Sequence, residues 1–442
     1  MTKRRRNTIF YALCVVFVAT GALVIFYAQG WRFDFAPFGF NKVGGIYIRS
    51  FPDDASIFIN NKYVDKKPGL LNRGRFISNL FPKNYNLTLK SDGYYDWTEN
   101  VQVSPSLVSE LKYAVLIPKN YEVAATGTIK SFWADGSQLI VALSAPGSSP
   151  LLFINGKKIK GNEVVLQSGD SDIVLTENNF PKTYFINYLS GNTPTSTILN
   201  QKLVAYGIQP SNIKEITKDP ASGNRVILRT NDKIFSLDLK SGEILKLVSS
   251  SVPISEMAAS PSWIAWTSID YKTGKSILTF YNRSSRSVQS EIDIAGKLTK
   301  ILFRNNDELG ILQSDGGLYT ISSGGQPQKL ASDVRDFEFS PGGDRVAALE
   351  NQALEIFAFN REKDYWRFRL PEAQKIERVE WYKDENHLFV IYPEETKLLG
   401  LEDKSVENFA VVASGKQAHY DAGSNMFYFV KDGELRKLQF AK

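Results

Sequence analysis

The apolar residues form two patterns, one long unbroken run near the amino terminus and many short alternating runs after it. The long run, residues 9–28, reads IFYALCVVFVATGALVIFYA and carries no charge over 20 residues. A helix of that length rises 1.5 Å per residue and spans a hydrocarbon core about 30 Å thick. We therefore predict a transmembrane helix over residues 9–28, preceded by a basic tail over residues 1–8 and followed by a linker over residues 29–42.

The charges that flank the apolar run predict its orientation. Four basic residues precede it, Lys3, Arg4, Arg5 and Arg6. After it, Arg32 and Asp34 roughly cancel, so the positive-inside rule predicts a cytoplasmic amino terminus and an extracytoplasmic bulk of the chain, with the lipid bilayer as a partner of residues 9–28. A cleaved signal peptide is the alternative. The run is longer than the usual apolar region of about 7–15 residues, and Phe26–Gln29 make a poor cleavage site.

Residues 43–117 contain short apolar runs separated by turn residues, which predicts a small β-domain. The order of these runs, with the turn 52–55, Pro68 and Gly93-Tyr94, resembles the PEGA domain, a small β-sandwich of envelope and surface proteins. The family's Glu-Gly is here Asp53-Asp54, and Asp also tolerates the left-handed turn conformation. A second departure is Lys83, which stands where the family usually has Gly. The resemblance implies a spacer or interaction module without catalytic residues.

Three aromatic residues lie beside one turn of this domain, at Tyr94, Tyr95 and Trp97. Such a cluster can stack on sugars or peptides, and it can equally cap the core of a small sandwich.

A repeat fills residues 121–442. An aromatic strand, a polar turn and a second apolar strand recur, most clearly in residues 337–348, FEFSPGGDRVAA. The copies begin near residues 129, 165, 212, 254, 298, 334, 376 and 417, about 40 residues apart. This period is typical of a β-propeller, and we expect eight blades, with seven as the alternative because residues 165–205 are irregular.

The last copy offers only three strands, over residues 418–421, 426–430 and 434–440. We expect residues 121–126 to supply the fourth strand and close the ring, which removes exposed sheet edges. The turn Ser340-Pro341-Gly342-Gly343 resembles those of TolB-type and WD40-like propellers, although the Gly-His and Trp-Asp pairs of true WD40 repeats are absent. The predicted fold class is all-β with one transmembrane helix, a PEGA-like sandwich and a propeller.

Composition narrows the chemistry. The net charge of +6 comes mostly from the four basic residues at the amino terminus, so we expect no nucleic acid partner. One Cys (Cys14) and two His (His387 and His419) exclude a disulfide framework and a Cys/His zinc site, and we expect no cofactor and no metal. Calcium is a candidate ligand of the Asp-containing turns at Asp135-Gly136 and at residues 315–317. The alternative, which we favour, is that these Asp residues serve the backbone of the turns.

Catalytic candidates are few. Glu338, Glu380 and Asp421 lie in predicted first strands, which line a propeller channel, and paired carboxylates there would suit glycosidase chemistry. The alternative is a set of solvated carboxylates balanced by Arg or Lys. We interpret the two histidines as structural, and we interpret four tryptophans as inter-blade core at matching positions: Trp133, Trp263, Trp266 and Trp381.

These patterns favour a membrane-anchored binding or scaffolding protein of the cell envelope, with an envelope protein or a cell-wall polysaccharide as partner. The alternatives are a glycosidase-like propeller enzyme acting on envelope sugars and an envelope assembly factor that engages peptides along a blade edge.

Overall fold

The computed structural model describes residues 3–35, 38–64, 74–136, 138–144, 147, 149–167, 172–179, 181–190, 193–270, 274–359, 365–370, 375–401 and 409–441. The chain forms two compact units, Met1–Asn120 with Gln439–Lys442, and Tyr121–Leu438.

The first unit begins with helix α1, Lys3–Ala28, which is long and apolar enough to cross a membrane. The basic residues expected in a separate tail therefore belong to the helix, since Lys and Arg are good helix formers. The helix ends at Ala28, and Gly30 follows it with a φ of +85°, which suits glycine, while its N–H donates to the Tyr27 carbonyl at 3.1 Å.

Residues 29–42 are not the linker that we expected. Strands β1, Trp31–Phe35, and β2, Phe38–Lys42, pair as an antiparallel hairpin. Aromatic residues alternate with polar residues or glycine in both strands, which is the period of a strand with two different faces.

Seven strands form the rest of this unit as two sheets. They are β3 (Gly44–Phe51), β4 (Ser56–Ile59), β5 (Lys62–Val64), β6 (Arg75–Leu80), β7 (Asn84–Lys90), β8 (Trp97–Gln102) and β9 (Val108–Val115). One sheet has the order β6-β3-β9, in which β3 and β9 run parallel, and the other has the order β5-β4-β7-β8. Ile46 and Ile48 of the first sheet share a buried core with Ile57, Leu87 and Leu89 of the second. The two sheets therefore form a sandwich, while the predicted feature at Pro68 lies outside the described residues.

The second unit consists of antiparallel four-stranded sheets. Strand β10, Glu122–Thr126, comes first in the chain and belongs to the last sheet. The first sheet contains β11 (Ile129–Asp135), β12 (Gln138–Leu143), β13 (Leu151–Ile154) and β14 (Lys157–Ile159). The second contains β15 (Glu163–Gln167), β16 (Ile173–Asn179), β17 (Lys182–Tyr188) and β18 (Thr195–Ile198). Helix α2, Asn200–Ala205, and a 3-10 helix, Pro210–Asn212, follow it.

The third sheet contains β19 (Glu215–Lys218), β20 (Arg225–Arg229), β21 (Lys233–Asp238) and β22 (Ile244–Ser249). The fourth contains β23 (Ile254–Ala259), β24 (Trp263–Ile269), β25 (Ser276–Asn282) and β26 (Ser287–Ile294). The fifth contains β27 (Leu298–Phe303), β28 (Glu308–Gln313), β29 (Leu318–Ser322) and β30 (Gln328–Ala331).

The sixth sheet contains β31 (Val334–Phe339), β32 (Arg345–Glu350), β33 (Ala353–Ala358) and β34 (Tyr365–Arg369). The seventh contains β35 (Arg378–Trp381), β36 (His387–Ile391), β37 (Glu395–Gly400) and β38 (Phe409–Ser414). The eighth contains β39 (Lys416–Asp421), β40 (Met426–Lys431) and β41 (Glu434–Gln439), in the order β10-β41-β40-β39. The expectation that residues 121–126 complete the last sheet is confirmed.

Each sheet buries apolar side chains against the next one. Six apolar clusters, each shared by two consecutive sheets, connect the first seven sheets in order. Phe389 of the seventh sheet stacks on Phe427 of the eighth with ring centroids 5.0 Å apart, and Val141 of the first clusters with Tyr428 of the eighth. Among the described residues, these sheets therefore contact one another in turn in a propeller-like ring. First strands of neighbouring sheets lie side by side, as β23 and β27 do, so the first strands are the inner ones.

Candidate functional site

A cavity of about 950 Å³ lies against the inner strands of the first, seventh and eighth sheets. We call it the inner-strand cavity. Strand β35 has Val379 and Trp381 buried in the core, so its alternate residues Arg378 and Glu380 line the cavity. Strand β39 contributes His419 in the same way. The aromatic residues of the lining are Phe132, Trp133 and Tyr420.

Glu380 is the centre of a polar network that joins two inner strands. Its carboxylate accepts hydrogen bonds from Arg378 Nε at 2.8 Å, from the backbone N–H of Tyr420 at 2.7 Å and from His419 Nδ1 at 3.1 Å. Burial alone raises the pKa of Glu380, but the hydrogen bond and charge of His419, together with Arg378, outweigh it, so the pKa is lowered. Glu380 is therefore ionised at neutral pH.

His419 connects three sheets. It contacts Glu380 of the seventh sheet, and it donates a hydrogen bond to the Ala134 carbonyl of the first sheet. Both partners are acceptors, which a protonated imidazolium satisfies at once. Burial has the largest single effect and lowers the pKa of His419, but the hydrogen bond and the charge of Glu380, with the Ala134 carbonyl, together outweigh it, so the pKa is raised. The structure places His419, which we interpreted as structural, in the wall of the inner-strand cavity.

Glu338 lies at the matching position of the sixth sheet, in β31. Burial raises its pKa, the charge of Lys300 opposes that shift, and the carboxylates of Asp336 and Glu380 add to it. The Lys300 ammonium lies 3.8 Å from the Glu338 carboxylate. The pKa of Glu338 is therefore raised, whereas that of Glu380 is lowered. Glu338 does not line the inner-strand cavity.

Asp421, the third carboxylate, ends β39 and stabilises the turn after it. It accepts hydrogen bonds from the backbone N–H of Gly423 at 3.0 Å and of Ser424 at 3.2 Å. This is the ordinary role of an Asp that caps a turn.

The calcium candidates have other partners. Asp135 forms an ion pair with Lys218 of the third sheet, and Asp315 accepts the Gly317 N–H at 2.9 Å within its own turn. Within the described part of the chain, no group of three or more His, Cys, Asp or Glu side chains is placed to hold a metal ion. His387 is buried and hydrogen-bonded to Asp384 at 2.8 Å.

The sandwich aromatics do not form one exposed cluster. Tyr94 and Trp97 pack against the sandwich core, and Tyr95 is exposed with the Lys119 ammonium 5.5 Å from its ring centroid. This placement agrees with the core-capping alternative for Tyr94 and Trp97.

The four tryptophans lie in or against the clusters between sheets, but not at matching positions. Trp133 and Trp381 are in first strands, whereas Trp263 and Trp266 are both in the second strand β24. The expectation of matching positions was wrong, because two of the tryptophans precede the turn between the first and second strands of their sheets and the other two follow it.

Two groups of residues were missed from the sequence. Arg378 is separated from Glu380 by one residue, and this spacing alone indicates a shared strand face. The aromatic hairpin of β1 and β2 was missed although its alternation is visible in WRFDF and FGFNK.

No protein-family model matches the sequence, and no curated protein matches it. Among solved structures, an oligogalacturonate lyase from Vibrio parahaemolyticus is similar with a TM-score of 0.43 and 10% identity over 71% of this chain and 98% of that one. Hsv2 of Kluyveromyces marxianus gives a TM-score of 0.41 and 9% identity, over 63% of this chain and 98% of that one. Hsv2 of Kluyveromyces lactis gives a TM-score of 0.40 and 11% identity, over 63% of this chain and 98% of that one. Likenesses this distant carry no argument about function.

Proposed function

We propose that the chain is a membrane-anchored, extracytoplasmic binding protein of the cell envelope, with a PEGA-like sandwich and an eight-bladed propeller. The apolar helix α1 supports the anchor. The observation that carries the binding role is the inner-strand cavity, whose volume of about 950 Å³ is typical of ligand sites.

The lining favours a sugar polymer over a polyanion. Its main charges already have partners within the protein, as in the pairs of Glu380 with Arg378 and of Asp135 with Lys218. A ligand with many like charges would have to break those pairs. The half-buried ring of Phe132 offers a face for a sugar ring, and planar polar groups such as the Arg378 guanidinium offer hydrogen bonds to hydroxyls. We therefore propose a cell-wall polysaccharide as ligand, with an envelope protein as the competing partner.

Co-sedimentation with isolated cell-wall polysaccharide tests the ligand. The full chain in detergent should sediment with the polymer, and Phe132→Ala or Arg378→Ala should raise the Kd about tenfold, as expected for loss of a contact worth about 1.4 kcal/mol. Lys246→Ala changes an exposed residue of β22 outside the cavity and is the matched control. Equal binding by all variants would contradict the cavity as the site. Failure of the wild-type chain to bind, with crosslinking to an envelope protein through the cavity, would favour the protein partner.

Membrane fractionation tests the anchor separately. An embedded helix keeps the chain in the membrane pellet through high-salt washes, because salt weakens charge contacts and not apolar insertion. Release by high salt would overturn the anchor.

A second candidate function, glycosidase-like chemistry, is favoured by one observation. The pKa of Glu338 is raised and that of Glu380 is lowered, which is how an acid and a base are separated in such enzymes. If the chain is such an enzyme, turnover of envelope polysaccharides should be measurable and should be lost in Glu338→Gln and in Glu380→Gln. A binding protein should show no turnover in any of the three proteins.

A further inference from the structure

The hairpin of β1 and β2 has one aromatic face and one polar face. Its register pairs Trp31 with Lys42 and Phe33 with Phe40, and paired residues project on the same side of a sheet. On that side the Phe33 ring contacts the rings of Phe38 and Phe40 with centroids 4.8 Å and 5.2 Å away. The opposite side carries Arg32, Asp34, Gly39 and Asn41.

The aromatic face is open. Phe38 is 83% exposed and Phe40 is 59% exposed. Neighbouring exposed rings of this size mark a surface that contacts something other than water.

The position of the hairpin indicates what that surface contacts. Strand β1 begins at Trp31, directly after helix α1 ends at Ala28, and the Phe26 and Trp31 rings are 6.0 Å apart. Arg32 fixes the junction, because its Nη1 donates to the Tyr27 carbonyl at 2.7 Å and its guanidinium lies 3.5 Å from the Tyr27 ring centroid. Arg32 Nη2 also donates to Asn79 Oδ1 of the sandwich at 3.1 Å. The exposed rings are therefore continuous with the apolar surface of the helix.

We propose that the hairpin of β1 and β2 is a membrane-interface anchor, with its aromatic face in the headgroup region of the outer leaflet, and that it sets how deeply α1 enters the bilayer. Trp, here Trp31, is enriched at this depth, and the apolar phenylalanine rings of the same face suit the boundary between headgroups and acyl chains. Lys42 at the edge of the face places its ammonium toward the headgroups. The inference rests on the proposed membrane span of α1.

Site-directed spin labelling of the full chain tests it. Cys14→Ser removes the single native cysteine, and three single-cysteine chains then carry a nitroxide at Val18→Cys, Phe38→Cys or Asn41→Cys. In phosphatidylcholine bilayers, oxygen reports lipid exposure and a water-soluble nickel chelate reports water exposure. We expect lipid exposure at position 18, a severalfold higher oxygen-to-nickel ratio at position 38 than at position 41, and water exposure at position 41, the matched control on the polar face.

A depth measurement completes the test. With the label at position 18, the double substitution Phe38→Ser and Phe40→Ser should shift the depth of the label, whereas Asn41→Ser should not.

The outcomes separate the inference from the proposal on which it rests. If position 18 is in lipid and position 38 is in water, the interface anchor is wrong and the membrane span stands. If both positions are in water, the membrane span itself is wrong. Dipolar broadening between labels at position 38 would show that a second copy of the chain covers the face, which also overturns the inference.

Discussion

At the residue scale, the pair of His419 and Glu380 makes the stability of the second unit depend on pH. The raised pKa of His419 means that its contribution is fully present below about pH 6.5 and is lost as the pH rises through the folded-state pKa. Because His419 is 37% exposed, we expect the contribution to be only about 0.5–1 kcal/mol. The free energy of unfolding in denaturant should therefore fall as the pH rises above about 6.5, and His419→Gln should reduce that fall.

Glu380 acts at the other end of the pH scale. Its lowered pKa means that its contribution is present above about pH 4.5 and is lost as the pH falls through the folded-state pKa.

His387→Gln is the control for the His419 prediction because His387 lies outside the inner-strand cavity. An unchanged pH dependence in His419→Gln would show that the pair is not charged in the folded protein.

A second residue-scale prediction concerns a buried ion pair between the third and fourth sheets. Arg283 binds Asp219 with two hydrogen bonds of 2.6 Å, and the Asp219 side chain is 0% exposed. Asp219→Ala leaves a largely buried guanidinium without its carboxylate, and we expect the free energy of unfolding to fall by about 3 kcal/mol. Glu243→Gln, which breaks an exposed pair with Arg225, should cost less than about 1 kcal/mol. Equal losses in the two variants would contradict this.

At the scale of elements, β10 and β41 bring distant parts of the chain into one sheet. Val123 pairs with Arg436 in their register. Val123→Cys with Arg436→Cys, in a Cys14→Ser background, should therefore form a disulfide on oxidation and raise the free energy of unfolding by about 2–4 kcal/mol. Val123→Cys with Met426→Cys is the control, since Met426 is in β40, which β10 does not pair with. Crosslinking of both pairs to the same extent would contradict the register.

The sequence predicted the elements whose strand and turn pattern recurs along the chain, and the one strand that the last sheet lacked. The starts near residues 298 and 334 agree with β27 and β31, because each copy carries the same strand and turn pattern. The short last copy indicated that an early strand must complete the sheet. The hairpin of β1 and β2 was missed because a two-stranded element has no repeat to reinforce its alternation. The network of Glu380 and His419 was missed because contacts between sheets depend on how neighbouring sheets pack, which spacing along one strand does not specify.

At the scale of the whole molecule, each of the two units has its own core. The sandwich cluster contains residues of the first unit only, and the clusters between the eight sheets contain residues of the second unit only. Units with separate cores can unfold in separate transitions.

We therefore expect two unfolding transitions in calorimetry of the full chain in detergent. Leu87→Ala opens a space in the sandwich core and should lower one transition, at a cost of about 2–5 kcal/mol to that unit. Leu388→Ala does the same in the cluster between the sixth and seventh sheets and should lower the other transition. The two variants control for each other because each removes a fully buried leucine. If either substitution lowers both transitions equally, the units unfold as one and their separate cores do not make them independent.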